Sequence, residues 1–527
     1  MNNVIITPNY DWSNEHNNVN KRVQRRYQIS NDPATKWRDG LRGISHMIAE
    51  SRARNERLRS YGGKWSLSDV AICSDAVHDS KPLTYWGSIA ERFVTGDPFF
   101  EDPLPLHRRL FFFQSGAQIS QINRALERRG LALPTSGASN GQTIAGAVST
   151  GTHGAALRVG AMQDFVRAIH IVVDADEHVL LQPSTNGVCT EELAHVFGAR
   201  LETDDELFNA ALVSFGAFGV IHGLIIEAVS LYSLEVHNRF VDYAVAETSL
   251  PLLASFDHAA TSNLAPFLMN VGMPSDVDPY HFEFVINPFE EERNAFLRVM
   301  YKRPFDATTL HPESETASRV GDDVISLIGS ISDLAGFTVP HLVNLLFDRV
   351  GEEVAGYTQT HRNIFGDSTL FRPTRGIASS ELGVPIHKAQ QAIQIIKQVA
   401  VDVPFAGVIA CRFVKPSAAT LAFTRFSPLT CTIELPGLNS DRTQEFFKRT
   451  FAVLDDARVP FTLHWGQEGD YSAIRLHKMY GDAVSAWMNA RETLLPDPMQ
   501  RYMFTNDFMK RCGLSEPPPL IGGDGIV

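Results

Sequence analysis

The segment from Leu131 to Leu157 constrains the fold of this chain more than any other. It contains no Asp, Glu, Lys or Arg, although charged residues make up 20% of the 527-residue chain. Six of the 37 glycines lie between Thr135 and Gly160, and seven Ser or Thr side chains lie between Thr135 and Thr152. Glycines let a backbone approach a ligand closely, while amides and hydroxyls hold anionic oxygens. The composition therefore indicates a loop that binds a nucleotide pyrophosphate without a lysine.

The segment matches neither of the two common phosphate-binding motifs. It lacks GxxxxGK[ST], and it lacks a GxGxxG that follows a strand. The sequence therefore does not support a P-loop or a Rossmann fold. Composition alone also leaves open a set of glycine-rich turns that binds no ligand, because a glycine-rich loop by itself is a weak signal.

Length and charge limit the remaining possibilities. A chain of 527 residues is too long for one compact domain, and 44% hydrophobic residues with 33 Phe indicate large cores. The net charge of −13 argues against a nucleic-acid partner, because binding to a phosphate backbone needs a basic surface. The N-terminal residues do not resemble a signal peptide, and no apolar run is long enough for a membrane span.

The cysteines indicate a reducing compartment. The five are widely spread and show no CxxC pair, zinc-type spacing or disulfide framework. We therefore expect a cytoplasmic protein without a bound metal, whose oligomeric state the sequence does not indicate.

Local patterns predict alternating strands and helices before residue 232 and longer elements after it. A Thr203/Glu206 capping box is predicted to begin a helix, and Asp174 to Asp176 is predicted to be the turn of a hairpin. The apolar segment Val324 to Val350 is predicted to be a core or cap helix, with a substrate lid or a membrane-surface contact as alternatives. The other predicted elements are helices Ala34 to about Arg57 and Ile119 to Arg129, strands Leu58 to Tyr61, Leu110 to Gln114 and Val220 to Tyr232, and an amphipathic helix after Tyr471 whose apolar face includes Ile474.

The motif S-G-x-S-x-x-Q-T-I-A-G-x-x-S-T-G-T-H-G, from Ser136 to Gly154, resembles the FAD-binding loop of the vanillyl-alcohol-oxidase-type flavoproteins. Its likeness is greatest to the aldonolactone, alditol and type II cholesterol oxidase branch. Flanking segments agree in order and spacing. The resemblance is strong over about Leu58 to Tyr232, thin over 233–470, and resumes near Arg491 to Leu514.

This resemblance implies an α+β fold in three parts. They are a two-part PCMH-type FAD-binding domain at 1–232, an α/β substrate (cap) domain at 233–470, and a C-terminal segment at 471–527 that returns to the FAD domain. It also implies FAD as the cofactor. The residues assigned to FAD are Gly62, Gly63, Lys64, Trp65, Ser66, Ser136, Gly137, Ala138, Ser139, Thr143, Gly146, Ser149, Thr150, Gly151, Thr152, His153, Gly154, Gly219, Val220, Ile221 and Asn506.

Gly62 to Ser66 resembles the family's first phosphate loop, R-x-x-G-S-G-H-S, with Arg59, Gly62 and Ser66 matching. Trp65 stands where many relatives carry the histidine that bonds covalently to the flavin. The cysteine that makes a second link in some branches is also missing, since none lies between Cys73 and Cys189. We therefore expect non-covalent FAD.

Two further motifs point to catalytic residues. Arg412, in A-C-R-F, resembles the arginine of the family's E-x-R strand, and His464, in H-W-G-Q, resembles the histidine of H-W-G-K. The resemblance implies that Arg412 steadies an alkoxide or the reduced flavin, and that His464 serves as a base or as a hydrogen-bond donor. A surface arginine and a structural histidine are the alternatives.

Both motifs are incomplete, because Ala410 replaces the glutamate and Gln467 replaces the lysine. Glu381, in an E-x-x-V-P segment, or Glu434 on a nearby strand could supply the missing carboxylate. The expected function is FAD-dependent oxidation of a CH–OH group of a small organic substrate by hydride transfer to flavin N5, with O2 as acceptor and H2O2 as product. A dehydrogenase, an oxidase of a bulky apolar or biosynthetic (sterol-like) substrate, and a flavin-binding protein without turnover stay open.

Overall fold

The computed structural model describes residues 3–137, 140–312, 339, 343–344, 347, 353–365 and 376–515. Ala138 and Ser139 therefore lie outside the described residues, as does almost all of the predicted apolar segment Val324 to Val350. None of the helices within the described ranges is long and apolar enough to cross a membrane.

Four strands near the N-terminus form the first sheet: Val4–Ser13 (β1), Asn20–Ile29 (β2), Leu58–Tyr61 (β3) and Ala76–Asp79 (β4). Their order is β1-β2-β4-β3, in which β4 is parallel to both of its neighbours. The helix Arg38–Ala53 buries the predicted apolar stripe, but it begins four residues later than expected. The reason is a turn in which the amides of Thr35 and Lys36 both donate to the carbonyl of Asp32.

The second sheet follows the order β10-β9-β8-β11-β6-β5, and a two-stranded sheet pairs β12 with β7. The predicted hairpin is confirmed as β8 and β9. The predicted strand Val220 to Tyr232 is confirmed as far as Glu227, but its end is wrong, because the chain then passes into two other sheets. The strands are Trp86–Ser88 (β5), Leu110–Gln114 (β6), Leu131–Ala132 (β7), Val166–Asp174 (β8), Glu177–Gln182 (β9), Arg200–Thr203 (β10), Val220–Glu227 (β11) and Val229–Ser230 (β12).

Short helices join these strands. The predicted Thr203 cap is wrong, because Thr203 is paired as the last residue of β10. Asp204 caps the following helix instead, its carboxylate accepting from the amide of Leu207 at 2.7 Å. The α-helices here are Ile119–Glu127, Ile144–Thr150, Glu191–Phe197 and Asp205–Leu212, and the 3₁₀ helices are Glu91–Phe93, Leu106–Arg108 and Met162–Phe165.

An eight-stranded antiparallel sheet forms most of the rest of the chain. Its order is β16-β13-β15-β14-β18-β19-β17-β20, and the helices Ile386–Asp402 and Asp441–Asp456 cover one of its faces. The strands are Tyr232–Val241 (β13), His281–Ile286 (β14), Ala295–Pro304 (β15), Val354–Thr360 (β16), Ile377–Pro385 (β17), Ile409–Val414 (β18), Thr430–Leu438 (β19) and Thr462–Leu463 (β20). The shorter helices are Tyr243–Glu247, Ser249–Ala254, Ala265–Asn270 and His361–Ile364.

The last helices are Ala473–Tyr480, Ala483–Leu494, Pro498–Met503 and Asp507–Arg511. The expected single amphipathic helix is therefore two helices, which separate at Gly481, and Ile474 is 75% exposed rather than buried. Trp487 Nε1 donates to the carbonyl of Val213, and Arg491 Nε donates to that of Ala217. These bonds hold the C-terminal helices against the segment before β11. The domain boundaries at 232 and 470 stay a prediction.

Candidate active site

Two cavities meet beside the glycine-rich segment. The first, which we call the loop cavity, encloses about 890 Å³, its open mouth included. The second, which we call the charged cavity, encloses about 1100 Å³ on the same basis. Trp65, Ser66, Gln142 and Thr150 line both, so the two cavities adjoin, and we call them together the cleft.

Most of the residues predicted to bind FAD line this cleft. Val220 lines neither cavity, although both of its chain neighbours do, and Gly151 is a left-handed helix end beside Phe423. Those that line the loop cavity are Gly62, Gly63, Lys64, Trp65, Ser66, Thr143, Gly146, Ser149, Thr150, Gly219 and Ile221. Those that line only the charged cavity are Ser136, Gly137, Thr152, His153 and Gly154.

Asn506, which was also assigned to FAD, lines neither cavity. Its side chain is buried, donates to the carbonyls of Val70 and Ile72, and caps the last helix by accepting from the amide of Met509. Its role is to hold the segment at 70–72, part of which lines the loop cavity.

The lining of the loop cavity fits FAD. Ser115 Oγ, Gln142 Oε1 and Thr143 Oγ1 are buried without a hydrogen-bond partner among the described residues, and all three side chains line the cavity. Buried polar atoms normally have a partner. An added Cβ at Gly62 would collide with the side chain of Thr143, and one at Gly63 would lie 2.7 Å from the carbonyl of Gly141. This backbone cradle, with its free hydroxyl and amide groups, is suited to a dinucleotide.

Trp65 lies where the two cavities join. Its indole packs on Gly141 and meets the ring of His16 edge to face at 5.8 Å. His78, the histidine closest to this loop in sequence, is buried, has its Nδ1 3.1 Å from Ser60 Oγ, and lines neither cavity. His16 from the β1–β2 turn lines the charged cavity, and nothing in the local sequence pattern predicts this approach.

Charged side chains cross the face of the eight-stranded sheet that borders the charged cavity. Arg298 on β15 lies opposite Glu283 on β14, which lies opposite Arg412 on β18. Glu434 on β19 lies opposite both Ala410 and Glu381, so all these residues share one face. Strand β19 thus supplies the carboxylate of Glu434 beside Arg412, where Ala410 of β18 itself has none.

Arg412 is paired with three carboxylates. Its Nε donates to Glu283 Oε2 at 3.1 Å and its Nη1 to Glu434 Oε2 at 2.8 Å, while Nη1 lies 3.8 Å from Glu381 Oε1. Burial acts to lower the pKa of Arg412, but the three carboxylates outweigh it and raise that pKa, so the guanidinium is cationic. The surface-arginine alternative is wrong, because Arg412 is only 9% exposed.

His153 connects the glycine-rich segment to the sheet. Its Nδ1 is 2.8 Å from the carbonyl oxygen of Gly154, and its Nε2 is 2.9 Å from Glu381 Oε1. Since a carbonyl only accepts, Nδ1 is the donor to Gly154, and Nε2 faces the carboxylate of Glu381. Burial acts to raise the pKa of Glu381, but His153, His464 and Arg412 together lower it to about 2.

His464 is held as a neutral hydrogen-bond donor. The amide of Gly466 donates to its Nδ1 at 3.1 Å, which leaves the ring proton on Nε2. Burial lowers the pKa of His464 to about 4, although Glu381 opposes the shift. Gln467 donates to Glu434 Oε1 at 3.4 Å, and its own Oε1 has no partner among the described residues. All four predicted catalytic residues, Arg412, His464, Glu381 and Gln467, line the charged cavity.

Among the lining residues of this cavity that the sequence prediction missed are three polar side chains of the eight-stranded sheet: His281, Glu283 and Arg298. A usable signal exists, because each interrupts a strand of otherwise apolar residues, H-F-E-F-V-I or F-L-R-V-M. Polar residues at alternate positions in a buried strand share one face, and that face needs polar partners.

Two family models and several known proteins are similar to this chain. A model described as FAD binding domain matches residues 107–181, and one described as D-arabinono-1,4-lactone oxidase matches residues 278–512. The chain is 23% identical to L-gulono-1,4-lactone dehydrogenase of Mycobacterium tuberculosis over 479 residues, which cover 89% of this chain and 93% of that protein. It is 29% identical to D-arabinono-1,4-lactone oxidase of Yarrowia lipolytica over 130 residues, which cover 25% of this chain and 21% of that protein.

Solved structures show the same fold. A structure titled solvent-stable cholesterol oxidase matches with a TM-score of 0.67 at 14% identity, covering 97% of this chain and 98% of that one. A cholesterol oxidase from B. sterolicum matches over the same shares with a TM-score of 0.65 at 13% identity. At such identities the likeness shows the fold alone.

Proposed function

We propose that this chain, an FAD-dependent oxidoreductase of the aldonolactone oxidase branch with a PCMH-type FAD-binding domain, oxidises a CH–OH group of a small polyhydroxylated substrate. Aldonolactones are the first candidates, because they appear in the names of its relatives. When bound, FAD supplies the hydride acceptor.

The observation that carries the substrate class is the lining of the charged cavity. Its described part holds three carboxylates and two guanidinium groups that are paired with one another. Paired charges leave little net field for an ionic substrate, while their free edges donate to and accept from hydroxyl groups. A sterol would leave those free edges without partners, so the lining favours a sugar-like substrate over a bulky apolar one.

Three side chains are suited to orient the reacting hydroxyl. Arg412 and the Nε2 proton of His464 are donors that hold the substrate oxygen in place. Glu381 Oε2 makes no hydrogen bond with the described residues, and it can accept the hydroxyl proton. A pKa of about 2 is low for a base. It suffices here, because an alcohol that is losing its hydride becomes a protonated carbonyl, which is strongly acidic.

Anaerobic mixing tests the function. The purified protein should show flavin absorption, and L-gulono-1,4-lactone, D-arabinono-1,4-lactone, an alditol or another member of a hydroxylated panel should bleach it. Cholesterol and 1-octanol are the apolar controls. Bleaching by the apolar controls alone would contradict the substrate class, and a protein that purifies with flavin but is bleached by none of them would favour binding without turnover.

We further propose O2 as the electron acceptor and non-covalent FAD. Trp65 at the expected attachment position supports the second proposal, because an indole there cannot make the histidyl link. Acid precipitation should leave a white pellet and a yellow supernatant, whereas a yellow pellet would point to a covalent link elsewhere, with His16 the first residue to examine. Stoichiometric H2O2 during aerobic turnover would support an oxidase, and its absence would support a dehydrogenase.

We also propose a cytoplasmic location. All five cysteines are buried and free, as expected for a protein from a reducing compartment. Fractionation of the source cells, followed by immunodetection, tests this.

A further inference from the structure

His281 is a buried imidazole in the charged cavity that the mechanism above does not use. It is 2% exposed, it lines the cavity, and its Nε2 has no hydrogen-bond partner among the described residues. Its ring packs against those of Tyr280 and Phe365, with centroids 5.3 and 5.2 Å away. A buried ring nitrogen without a partner in the protein is expected to have one in a ligand.

The backbone fixes where this imidazole lies. The amide of Phe282 donates to the carbonyl of Ala155, and that of Leu157 donates to the carbonyl of Tyr280, so the start of β14 is bonded to the segment after His153. A Cβ built on Gly154 would lie 3.5 Å from His281 Cε1. His281 is therefore held beside the glycine-rich segment by main-chain bonds that do not depend on its side chain.

The neighbours of His281 make a mixed surface. Arg298 donates through Nη1 to Glu283 Oε1 at 2.6 Å, and its Nε is buried without a partner among the described residues. Met300 lies directly opposite His281 in the sheet, and Met300 and Phe365 add apolar surface. Hydrogen-bonding groups beside apolar walls fit a carbon chain that carries hydroxyls, because its C–H bonds and its O–H groups need different partners.

The distance from the reacting groups defines which hydroxyl is bound. His281 precedes Glu283 by two residues on the same strand face, a rise of about 7 Å, and Glu283 is the residue opposite Arg412. A group held by His281 is therefore one or more carbons away from a hydroxyl held by Arg412 and Glu381.

We propose that His281, with Arg298, binds a second hydroxyl of the substrate, remote from the CH–OH that is oxidised, and so selects polyhydroxylated substrates. This inference rests on the proposed function. A neutral imidazole suits the task, since one ring nitrogen donates and the other accepts, as a hydroxyl requires. Burial lowers the pKa of His281 to about 4, which keeps the ring neutral near pH 7.

The test pairs one substitution with deletions in the substrate. His281→Phe keeps the aromatic contacts and removes both nitrogens. The probe is whichever lactone or alditol the wild-type protein oxidises best, together with its mono-deoxy analogues. We expect His281→Phe to lower kcat/KM for the full substrate about 10-fold, the order expected for one buried hydrogen bond. One deoxy analogue should show no further loss, because its missing hydroxyl is the partner of His281. His281→Gln, which keeps a donor and an acceptor, should recover part of the loss. The exposed His477→Phe, a histidine outside both cavities, should change neither comparison.

Each outcome is decisive. An equal loss on every analogue would overturn the proposal, because a base or a purely structural residue lowers all rates alike. No loss on any substrate would overturn it as well. If the wild-type protein oxidises no member of the panel, the proposed function fails instead, and flavin content of the variants reports their folding. If His281→Phe does not fold, the same comparison is made with His281→Gln and Arg298→Lys.

Discussion

Arg412 shows how much one side chain can hold in place. Its guanidinium is the shared partner of Glu283, Glu381 and Glu434, which lie on three different strands. Without that cation, the three carboxylates would face one another in a buried space. The same residue is therefore required both for the fold of the cavity and for the chemistry proposed in it.

Replacing Arg412 should have two measurable effects. Arg412→Met should lower the free energy of unfolding by about 3–5 kcal/mol, because it leaves buried carboxylates without their partner. It should slow flavin reduction by substrate about 100-fold or more, the usual effect of losing one preorganised donor. Urea unfolding and anaerobic stopped-flow absorbance measure these. Arg22→Met, which breaks an exposed pair with Asp11, should cost about 1 kcal/mol or less. If Arg412→Met lowered the free energy of unfolding by as little as Arg22→Met does, Arg412 would not be the shared partner of the three carboxylates.

His464 should leave no trace in the pH dependence of catalysis near neutrality. Its pKa of about 4 means that it is already neutral at pH 5.5 and above. We expect His464→Gln to lower kcat/KM about 10-fold. This ratio of wild type to variant should stay constant between about pH 5.5 and 9. An acid limb near pH 6.5 in the wild-type profile that vanishes in this variant would show instead that His464 titrates as a base.

At the scale of single elements, β8 and β11 are joined by two buried histidines. The Nδ1 atoms of His170 and His222 lie 2.8 Å apart, and Gln114 Nε2 donates to His222 Nε2 at 2.9 Å. Burial lowers the pKa of both rings, that of His222 to about 3. Both rings are therefore neutral in the folded protein, and protonating either of them would disrupt the contact between these two strands.

Stability should fall as the pH falls from about 6.5. Below that value the histidines of the unfolded chain bind protons, whereas the buried histidines of the folded protein do not. Each such histidine lowers the free energy of unfolding by up to about 1.4 kcal/mol per pH unit. Urea unfolding between pH 7.5 and 4.5 measures this. His222→Gln should reduce the slope by about one histidine's share, while the exposed His477→Gln should not change it. An unchanged slope in the first variant would contradict the assignment.

The first loop of the cleft depends on the absence of a side chain. Gly62 approaches Thr143 so closely that a Cβ on residue 62 would displace the Thr143 side chain. The hydroxyl of Thr143 has no partner among the described residues and is one of the groups assigned to FAD. We expect Gly62→Ala to fold and to purify with at most about a tenth of the wild-type flavin, by the absorbance ratio at 450 and 280 nm. Gly87→Ala, on the edge strand β5, where the atom nearest to a Cβ is the side-chain hydroxyl of Tyr85 at 3.1 Å, should keep its flavin. Full flavin in Gly62→Ala would show that the loop adjusts.

On the scale of the whole molecule, the C-terminal helices complete a core whose first residues lie in the N-terminal sheet. Arg59 Nη1 donates to the carbonyl of Phe504, and the rings of Phe215 and Trp487 lie 5.7 Å apart. A chain that ends at residue 470 should therefore be insoluble or lack flavin, whereas one that ends at residue 515 should be soluble and yellow. Soluble, flavin-containing protein from the shorter chain would contradict this dependence.

The sequence by itself determined the features that depend on neighbours along the chain. The sequence predicted two glycine-rich loops, within Leu131 to Leu157 and at Gly62 to Ser66, and the hairpin of β8 and β9. These predictions were possible because backbone freedom and strand alternation follow from adjacent residues. The same local logic placed the helix cap one residue early, at Thr203 rather than Asp204, since the pairing of Thr203 in a sheet is not a local property.

Only the tertiary structure decided how the charged cavity is built. Glu283 and Glu434 reach Arg412, and Arg298 reaches Glu283, because four antiparallel strands pair in one register. His153 reaches Glu381 across 228 residues of sequence. The sequence left Glu381 and Glu434 as alternatives for the carboxylate that Ala410 lacks, and that register brings both of them beside Arg412. Register is set by long-range packing of the opposite, apolar face, so no motif around any one of these residues contains it.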